Sequence, residues 1–213
     1  MVEPDERAPD REAPDTSGVA MRKLIVSNLI SLDGYASGPG SDVMALPFDT
    51  TFSDYNLELI QAAAILVSGA TTYRALLSYW PPVADDPAQP EVERAISRRH
   101  RVLQHLVISD TLTAEETGPW RENTTIVRRD EARDAIAQAK KGEGGALLAF
   151  GSMTTWNDLL AAGLVDELHM MVGAGVLLDG VPAFSVQPPG PMRLTGARQL
   201  GDSNIALLVY SLG

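Results

Sequence analysis

Two strand–glycine–helix units contain the residues whose types and spacing are best suited to bind a ligand. The first reads Val67-Ser68-Gly69-Ala70-Thr71-Thr72-Tyr73, and the second reads Ala149-Phe150-Gly151-Ser152-Met153-Thr154-Thr155. Glycine lets the backbone approach a ligand closely, and the free amides and hydroxyls of the first helical turn can bind phosphate oxygens. Two such anion sites suit a pyrophosphate, although a glycine that opens a helix is more often only a tight turn. Neither unit matches the phosphate-loop or dinucleotide-fold fingerprint.

Other kinds of site find little support in the sequence. The chain contains no cysteine, which excludes disulfides, thiolate nucleophiles and cysteine-ligated zinc. The three histidines, His100, His105 and His169, do not have the spacing of metal ligands, so we expect no metal site. No nucleophile, base and orienting residue form a recognisable pattern.

Hydrophobic patterning predicts alternating buried strands and helices, which is typical of an α/β sheet. Strands are predicted at 24–30, 64–67, 103–108, 124–127, 146–150 and 165–172, with a final antiparallel pair at 192–200 and 204–212. Helices are predicted at 53–62, 70–78, 91–99, 130–140 and 151–161. The two glycine turns therefore each connect a buried strand to a helix.

Three helix boundaries have specific chemical signals. Ser53 and Asp130 are predicted N-caps of the first and fourth helices, because their side chains can accept hydrogen bonds from first-turn amides. Trp80-Pro81-Pro82 is predicted to stop the second helix, since proline lacks an N–H and clashes with the preceding turn.

The composition describes one globular domain preceded by a polar tail. Of 213 residues, 45% are hydrophobic and 21% are charged, which allows a substantial core. Residues 1–20 are acidic, rich in proline and almost free of apolar side chains. This predicts a disordered tail at 1–20 and a folded domain at 21–213.

The charge and the apolar pattern also limit the expected partners. A formal net charge of −11 repels nucleic-acid phosphates and anionic membranes, so we expect neither as a partner. No apolar run is long enough to span a bilayer, and no signal segment is apparent at the start. We therefore expect a cytoplasmic protein that binds a small molecule.

Five short motifs follow one another along the chain. They are Arg22-Lys23-Leu24 through Ser31-Leu32-Asp33-Gly34-Tyr35, Leu66-Val67-Ser68-Gly69-x-x-Thr72-Tyr73, Val107-Ile108-Ser109-x-Thr111-Leu112, Phe150-Gly151-Ser152, and Ala162-Gly163-Leu164-Val165-Asp166-Glu167-Leu168. Their order resembles the reductase domain of riboflavin biosynthesis and, more broadly, stand-alone bacterial dihydrofolate-reductase-like proteins.

The resemblance implies a dihydrofolate-reductase-like α/β fold, with a mixed, mostly parallel sheet flanked by helices. It also implies an oxidoreductase that uses NADPH or NADH to reduce a small, heterocyclic molecule, often as a homodimer. In such a fold the cofactor crosses the carboxyl ends of the strands. Leu29 and Ile30 would lie near the nicotinamide, Gly69–Thr72 and Gly151–Thr154 beside the phosphates, and Ser109 near the adenosine ribose.

The sequence departs from this family where the 2′-phosphate of NADPH would be recognised. Ala70 and Asp110 stand where the family commonly has arginines. A carboxylate repels a phosphate and can instead accept hydrogen bonds from a free ribose hydroxyl, so we expect NADH to bind at least as well as NADPH. Arg74, or Arg128 with Arg129, could supply a substitute cation and reverse this preference.

Three residues are candidates for catalysis. The resemblance places the Asp33 loop over the nicotinamide, although an Asp-Gly turn explains the residue equally well. Asp54 lies on the helix where dihydrofolate reductase keeps its substrate-binding carboxylate, although a solvated helix face also explains it. The Tyr73 hydroxyl could reach a substrate, although core packing is the simpler interpretation.

Two alternatives to a nicotinamide-dependent reductase stay open at this point. The scaffold can serve as a non-catalytic small-molecule-binding protein that has lost cofactor recognition, or as a reductase with a flavin-type cofactor. A fold resemblance alone does not establish a reaction.

Overall fold

The computed structural model describes residues 21–213, so the tail predicted at 1–20 lies outside the described residues. The strands in this part of the chain are β1 (Leu24–Ile30), β2 (Tyr35–Ser37), β3 (Ala63–Gly69), β4 (Gln104–Ile108), β5 (Thr124–Val127), β6 (Ala146–Phe150), β7 (Glu167–Val172), β8 (Val181–Pro182), β9 (Met192–Gln199) and β10 (Ala206–Leu212). The α-helices are α1 (Thr50–Ala62), α2 (Ala70–Val83), α3 (Glu91–His100), α4 (Ala132–Lys140) and α5 (Met153–Ala161).

Eight strands form one sheet in the order β5-β4-β3-β6-β1-β7-β10-β9. β1 pairs in parallel with β6 and β7, whereas β10 runs antiparallel to both β7 and β9. The predicted mixed, mostly parallel sheet flanked by helices is therefore confirmed. No helix within residues 21–213 is both long and apolar enough to cross a membrane.

The first strand, β1, lies between β6 and β7 inside the sheet, and both of its faces are apolar. Leu24, Val26 and Ile30 belong to a core cluster that also contains residues of α4 and α5. Ile25 and Leu29 face the opposite side and pack in clusters that contain residues of α1. A strand covered on both faces carries a nearly continuous apolar run, which is the pattern visible in the sequence.

Both predicted N-caps are wrong. Asp49 caps α1, since its side chain accepts a hydrogen bond from Phe52 N at 3.1 Å, while the Ser53 hydroxyl donates to Glu93 of α3. Asp130 lies inside a short 3₁₀ turn that precedes α4. In both cases the chain begins to turn before the apolar periodicity is visible.

The predicted proline stop is also wrong, because α2 continues through Pro81 and Pro82 to Val83. Tertiary hydrogen bonds hold this last turn. Ser97 Oγ donates to Trp80 O at 2.5 Å, and Arg101 Nη2 donates to Pro81 O at 3.1 Å. Packing against α3 therefore overrides the local effect of two prolines.

Candidate functional site

The carboxyl ends of the parallel strands β5, β4, β3, β6, β1 and β7 lie side by side along one edge of the sheet, here called the carboxyl edge. Ligands of open α/β sheets bind at this edge. The two glycine turns follow the neighbouring strands β3 and β6. Leu29 and Ile30 are buried at the end of β1, which is the next strand along.

The two glycine turns are hydrogen-bonded to each other. Ser152 Oγ accepts a bond from Gly69 N at 2.9 Å, and Thr72 Oγ1 accepts one from Ser152 N at 3.1 Å. Gly151 N donates to Asn28 Oδ1 at 2.9 Å. The turns thus lie against each other, and their own amides are held by side chains. The amides left for a ligand are those of the first turns of α2 and α5, which have no acceptor in their own helices.

The close contact of the turns depends on the backbone. A Cβ atom on Gly69 would lie 2.6 Å from Thr155 Oγ1. Gly151 and Ser152 have φ values of 55° and 54°, in the left-handed region that favours glycine. The first-turn residues that surround the junction are half-buried or exposed: Ala70, Thr71, Thr72, Met153 and Thr154. Two adjacent helix N-termini with accessible amides and threonine hydroxyls fit a pyrophosphate.

A mixed cluster of charges follows at the ends of β4 and β5. Asp110 Oδ1 accepts a hydrogen bond from Arg129 N at 3.2 Å, and the guanidinium groups of Arg128 and Arg129 each lie 3.7 Å from the Asp110 carboxylate. Arg74, the other predicted substitute cation, is bound to Glu116 at 2.7 Å instead. Asp110 is therefore flanked by two cations.

A cleft of about 240 Å³ opens beside this cluster, between the end of β4, the start of α4 and the first turns of α5. Its lining includes Ile108, Arg129, Arg133, Thr154 and Asp158. Ser109 is buried next to it, and its hydroxyl accepts hydrogen bonds from Thr111 N and Leu112 N at 3.1 and 3.0 Å. Ser109 thus holds the turn after β4 beside the cleft, and its position near the adenosine ribose stays a prediction.

Asp33 holds two loops together. Its carboxylate accepts hydrogen bonds from Ser31 Oγ at 2.6 Å, Leu178 N at 2.8 Å and Leu177 N at 3.1 Å. The Ser31 bond, followed by the Leu178 amide, lowers the pKa of Asp33 to about 2. The carboxylate is ionised at neutral pH and is a poor proton donor. The geometry supports a positioning role in place of the predicted catalytic one.

The other two predicted catalytic residues do not join Asp33 at one point. Asp54 lies on the exposed side of α1. Tyr73 is completely buried, its Oη lies 2.8 Å from Thr124 Oγ1, and its ring packs edge-on against Trp120. Burial raises the pKa of Tyr73, so the hydroxyl stays protonated. Tyr73 is a core residue, which agrees with the core-packing interpretation and leaves its hydroxyl out of reach of a substrate.

Sequence reasoning missed a polar network beneath α1, in which Tyr55 and His169 are buried. Tyr55 Oη donates to His169 Nδ1 at 2.7 Å, and His169 Nε2 donates to Glu167 Oε2 at 3.1 Å. Lys23 completes the network at 2.6 Å from Glu167. Burial raises the pKa of Tyr55 to about 12 and lowers that of His169, so both side chains are neutral. The Glu167 carboxylate can only accept a hydrogen bond, so His169 donates from Nε2 and accepts at Nδ1. The network attaches α1 to β7, and its signal in the sequence is a histidine inside an apolar strand.

Asn28 was missed for a similar reason. Its Oδ1 holds the Gly151 turn, and its Nδ2 is buried without a partner among the described residues. A polar residue inside an otherwise apolar strand was the available signal. Residues 21–213 contain no group of His, Asp or Glu side chains that could hold a metal ion.

Solved structures with the same fold include three informative neighbours. A putative riboflavin biosynthesis protein from Shewanella sp. PV-4 is 22% identical, with a TM-score of 0.62 over 89% of this chain and 98% of that one. Dihydrofolate reductase from Enterococcus faecalis, complexed with NADP(H) and RAB-propyl, is 14% identical, with a TM-score of 0.55 over 89% and 95%. At these identities the comparisons show the fold alone.

The third neighbour is a two-activity protein from Thermotoga maritima, a diaminohydroxyphosphoribosylaminopyrimidine deaminase/5-amino-6-(5-phosphoribosylamino)uracil reductase. It is 11% identical, with a TM-score of 0.60 over 91% of this chain and 57% of that one. No curated protein matched the sequence.

The sequence comparison decides the family. The profile of the RibD C-terminal domain matches residues 22–205, which is most of the chain. The predicted resemblance is therefore confirmed, and the reductase domains of this family are NADPH-dependent oxidoreductases. This chain belongs to the RibD C-terminal domain family.

Proposed function

We propose that this protein is an NADPH-dependent reductase of a small heterocyclic molecule. The observation that carries the proposal is the junction of the α2 and α5 N-termini at Gly69 and Gly151, where amides and hydroxyls converge at neighbouring strand ends. The family assignment supports the same conclusion. The cofactor would supply a hydride, and the protein would orient both reactants and exclude water.

Each part of the cofactor has a candidate position along the carboxyl edge. The pyrophosphate would bind the first turns of α2 and α5, where the helix dipoles favour anions. The adenosine would lie in the cleft lined by Arg129 and Arg133, at the β4 and β5 end. Because the sheet order is β5-β4-β3-β6-β1-β7, the nicotinamide would then lie near Leu29 and Ile30 at β1.

A direct test is titration of the purified protein with NADPH, NADH and reduced flavins, followed by NADPH oxidation assays on heterocyclic compounds. Saturable NADPH binding is the expected result. Selective binding of a reduced flavin would favour the flavin alternative. Binding of small molecules without any nucleotide affinity would favour the non-catalytic one.

We expect NADPH to bind about tenfold more tightly than NADH, the reverse of the preference predicted from Ala70 and Asp110. Arg128 and Arg129 flank the Asp110 carboxylate and would offset its repulsion of the 2′-phosphate. Replacing both arginines with alanine should bring the two affinities close together, as measured by fluorescence titration. The control is Lys141→Ala, which removes an exposed cation at the end of α4. An unchanged ratio in the double variant would assign the preference to another group.

We also propose a homodimer formed through β9 and β10. Met192 pairs with Leu212 across the two strands, and Leu194 pairs with Tyr210. Met192 and Leu194 are 40% and 51% exposed, which leaves an apolar surface on an edge strand. Such surfaces are commonly covered by a second protein copy.

Leu194→Asp should convert a dimer into a monomer, because two carboxylates would be buried at the interface. Analytical ultracentrifugation measures the mass. Val102→Asp, at an apolar residue that is 66% exposed between α3 and β4, is the matched control and should leave the mass unchanged. A monomeric unsubstituted protein at micromolar concentration would contradict the proposal.

A further inference from the structure

The proposed cofactor position fixes where the substrate would bind. With the nicotinamide at the end of β1, the substrate would meet it among three segments: loop 31–49 after β1, loop 173–180 after β7, and the start of α1. α1 begins at the carboxyl edge because it ends at Ala62, directly before the amino end of β3. The two loops are joined by a hydrogen bond from Leu32 N to Gly175 O at 2.7 Å. We call these three segments the substrate end.

The substrate end contains no lysine or arginine. The sequence has no lysine or arginine between Lys23 and Arg74 or between Lys141 and Arg193. The same segments carry five aspartates: Asp33, Asp42, Asp49, Asp54 and Asp179. The arginines near β4 and β5 thus lie among carboxylates, whereas the loops near β1 and β7 carry aspartates with no lysine or arginine.

The rim of the substrate end is apolar as well as acidic. Five of its aliphatic side chains are more than half exposed: Leu32, Val43, Met44, Val176 and Leu178. Exposed apolar side chains that surround a ligand site favour ligands with uncharged, flat or hydrophobic surfaces.

On the face of the sheet that α1 covers, three buried polar side chains lack partners. Ser27 Oγ, Ser68 Oγ and Asn56 Oδ1 have no hydrogen bond to any described residue. Ser27 of β1 pairs with Phe150 of β6. On the other side of β6, Val67 of β3 pairs with Ala149, so the next residue, Ser68, lies beside Phe150 as well.

All three lie on one side of the sheet. Ile25 and Leu66 pack in one hydrophobic cluster on the α1 side of the sheet. Ser27 lies two residues after Ile25 on β1, and Ser68 lies two residues after Leu66 on β3, so both serines point to that side. Asn56 precedes Ile60 by one helical turn, on the face of α1 that packs over the same cluster. Buried polar atoms without a protein partner are rare, and water or a ligand commonly satisfies them.

We propose that the substrate is an uncharged nitrogen heterocycle that carries no phosphate group. The ring would use its N–H and C=O groups to satisfy Asn56, Ser27 and Ser68, and its uncharged surface would meet the apolar rim. This inference rests on the proposed function. It separates this chain from the Thermotoga maritima relative, whose described substrate is a phosphoribosyl compound.

Arg198, on the edge strand β9, approaches this face at Tyr55. Its guanidinium carbon lies 5.5 Å from the centre of the Tyr55 ring, where it makes a cation–π contact. Across the sheet, Arg198 of β9 pairs with Leu207 of β10. Leu207 pairs with Met171 of β7, and Met171 pairs with Leu29 of β1. Three strand spacings, or roughly 14 Å, therefore separate the backbone of Arg198 from that of β1, while its guanidinium lies against Tyr55 of α1.

The test uses 5-amino-6-(ribosylamino)uracil and its 5′-phosphate, which share one ring and differ only in the phosphate. Affinity for NADPH is measured first, so that a failure of the proposed function is seen by itself. Each compound is then titrated into protein saturated with NADP⁺, which prevents turnover. We expect the phosphate-free compound to bind at least tenfold more tightly.

Two variants test the separate parts of the inference. Ser68→Ala should weaken binding of the phosphate-free compound about tenfold without lowering the thermal midpoint, because the hydroxyl has no protein partner to lose. Ser78→Ala, on the exposed side of α2, is its control. Asp54→Arg should raise affinity for the 5′-phosphate, because it places a cation at the substrate end.

Equal or tighter binding of the 5′-phosphate by the unsubstituted protein would overturn the inference, and Arg198→Ala would then show whether Arg198 is responsible. Failure of both compounds to bind the NADP⁺-saturated protein would also overturn it. Loss of NADPH binding itself would instead contradict the proposed function.

Discussion

Gly69→Val should lower the affinity for NADPH about 100-fold while the protein stays folded. Even a Cβ at this position would lie 2.6 Å from Thr155 Oγ1, and the valine methyl groups would enter the junction between α2 and α5. The two helix N-termini would be forced apart, and their amides would no longer converge on one pyrophosphate. Fluorescence titration gives the affinity, and circular dichroism reports the fold.

Gly190→Val is the matched control, since a Cβ there meets nothing within 4 Å. It should leave the NADPH affinity unchanged. Gly151 is a poorer position for the test, because its φ of 55° strains any β-branched residue and would weaken folding and binding together. Undiminished NADPH affinity in a folded Gly69→Val protein would show that the cofactor binds elsewhere.

Mild acid should destabilise the protein through its buried histidines, because burial lowers the pKa of His100, His105 and His169. His100 and His105 stack on each other and on Trp120, and the Nδ1 atom of each has no partner among the described residues. Burial lowers the pKa of His100 to about 3 and lowers that of His105. Both side chains are therefore neutral in the folded state.

The pH dependence follows from proton linkage. Unfolded histidines titrate near pH 6.5, so below that pH the unfolded state binds protons that the folded state does not. The contribution of these histidines to the free energy of unfolding is fully present above about pH 7. It decreases as the pH falls from there toward their pKa values in the folded state. Between pH 7.5 and 5, His100 alone should lower the free energy of unfolding by about 2 kcal/mol.

Urea denaturation at several pH values measures this slope. His100→Phe keeps an aromatic ring in the stack but cannot titrate, so its slope should be shallower between pH 7.5 and 5. Carboxylates with lowered pKa values, such as Asp33, affect the slope only at lower pH. The same slope in the variant and the unsubstituted protein would rule out His100 as its source.

The sequence determined the elements and their class because their signals are local. The apolar run Leu24–Ile30 predicts a buried strand without any knowledge of the neighbouring strands. The turns at Gly69 and Gly151 follow from the local order of apolar residues, glycine and helix-forming residues. The order of five motifs then predicted the family, which the profile match to residues 22–205 confirmed.

Helix ends were less predictable, since distant residues decide them. Ser53 has the chemistry of an N-cap, but Glu93 of α3 binds its hydroxyl, and Asp49 caps the helix instead. Pro81 does not end α2, because Arg101 binds its carbonyl from across the α2–α3 contact. Neither partner is close in sequence.

The chemistry of the site was decided almost entirely by tertiary structure. In the sequence alone, Asp110 predicts repulsion of a phosphate. The parallel pairing of β4 and β5 brings Arg128 and Arg129 beside it, although they are 18 and 19 residues away along the chain. Asp33 and Tyr73 had suitable side chains for catalysis, yet one binds the loop after β7 and the other is enclosed in the core. Residue type sets what a side chain can do, whereas packing sets which partners it meets, and in a parallel sheet those partners come from distant strands.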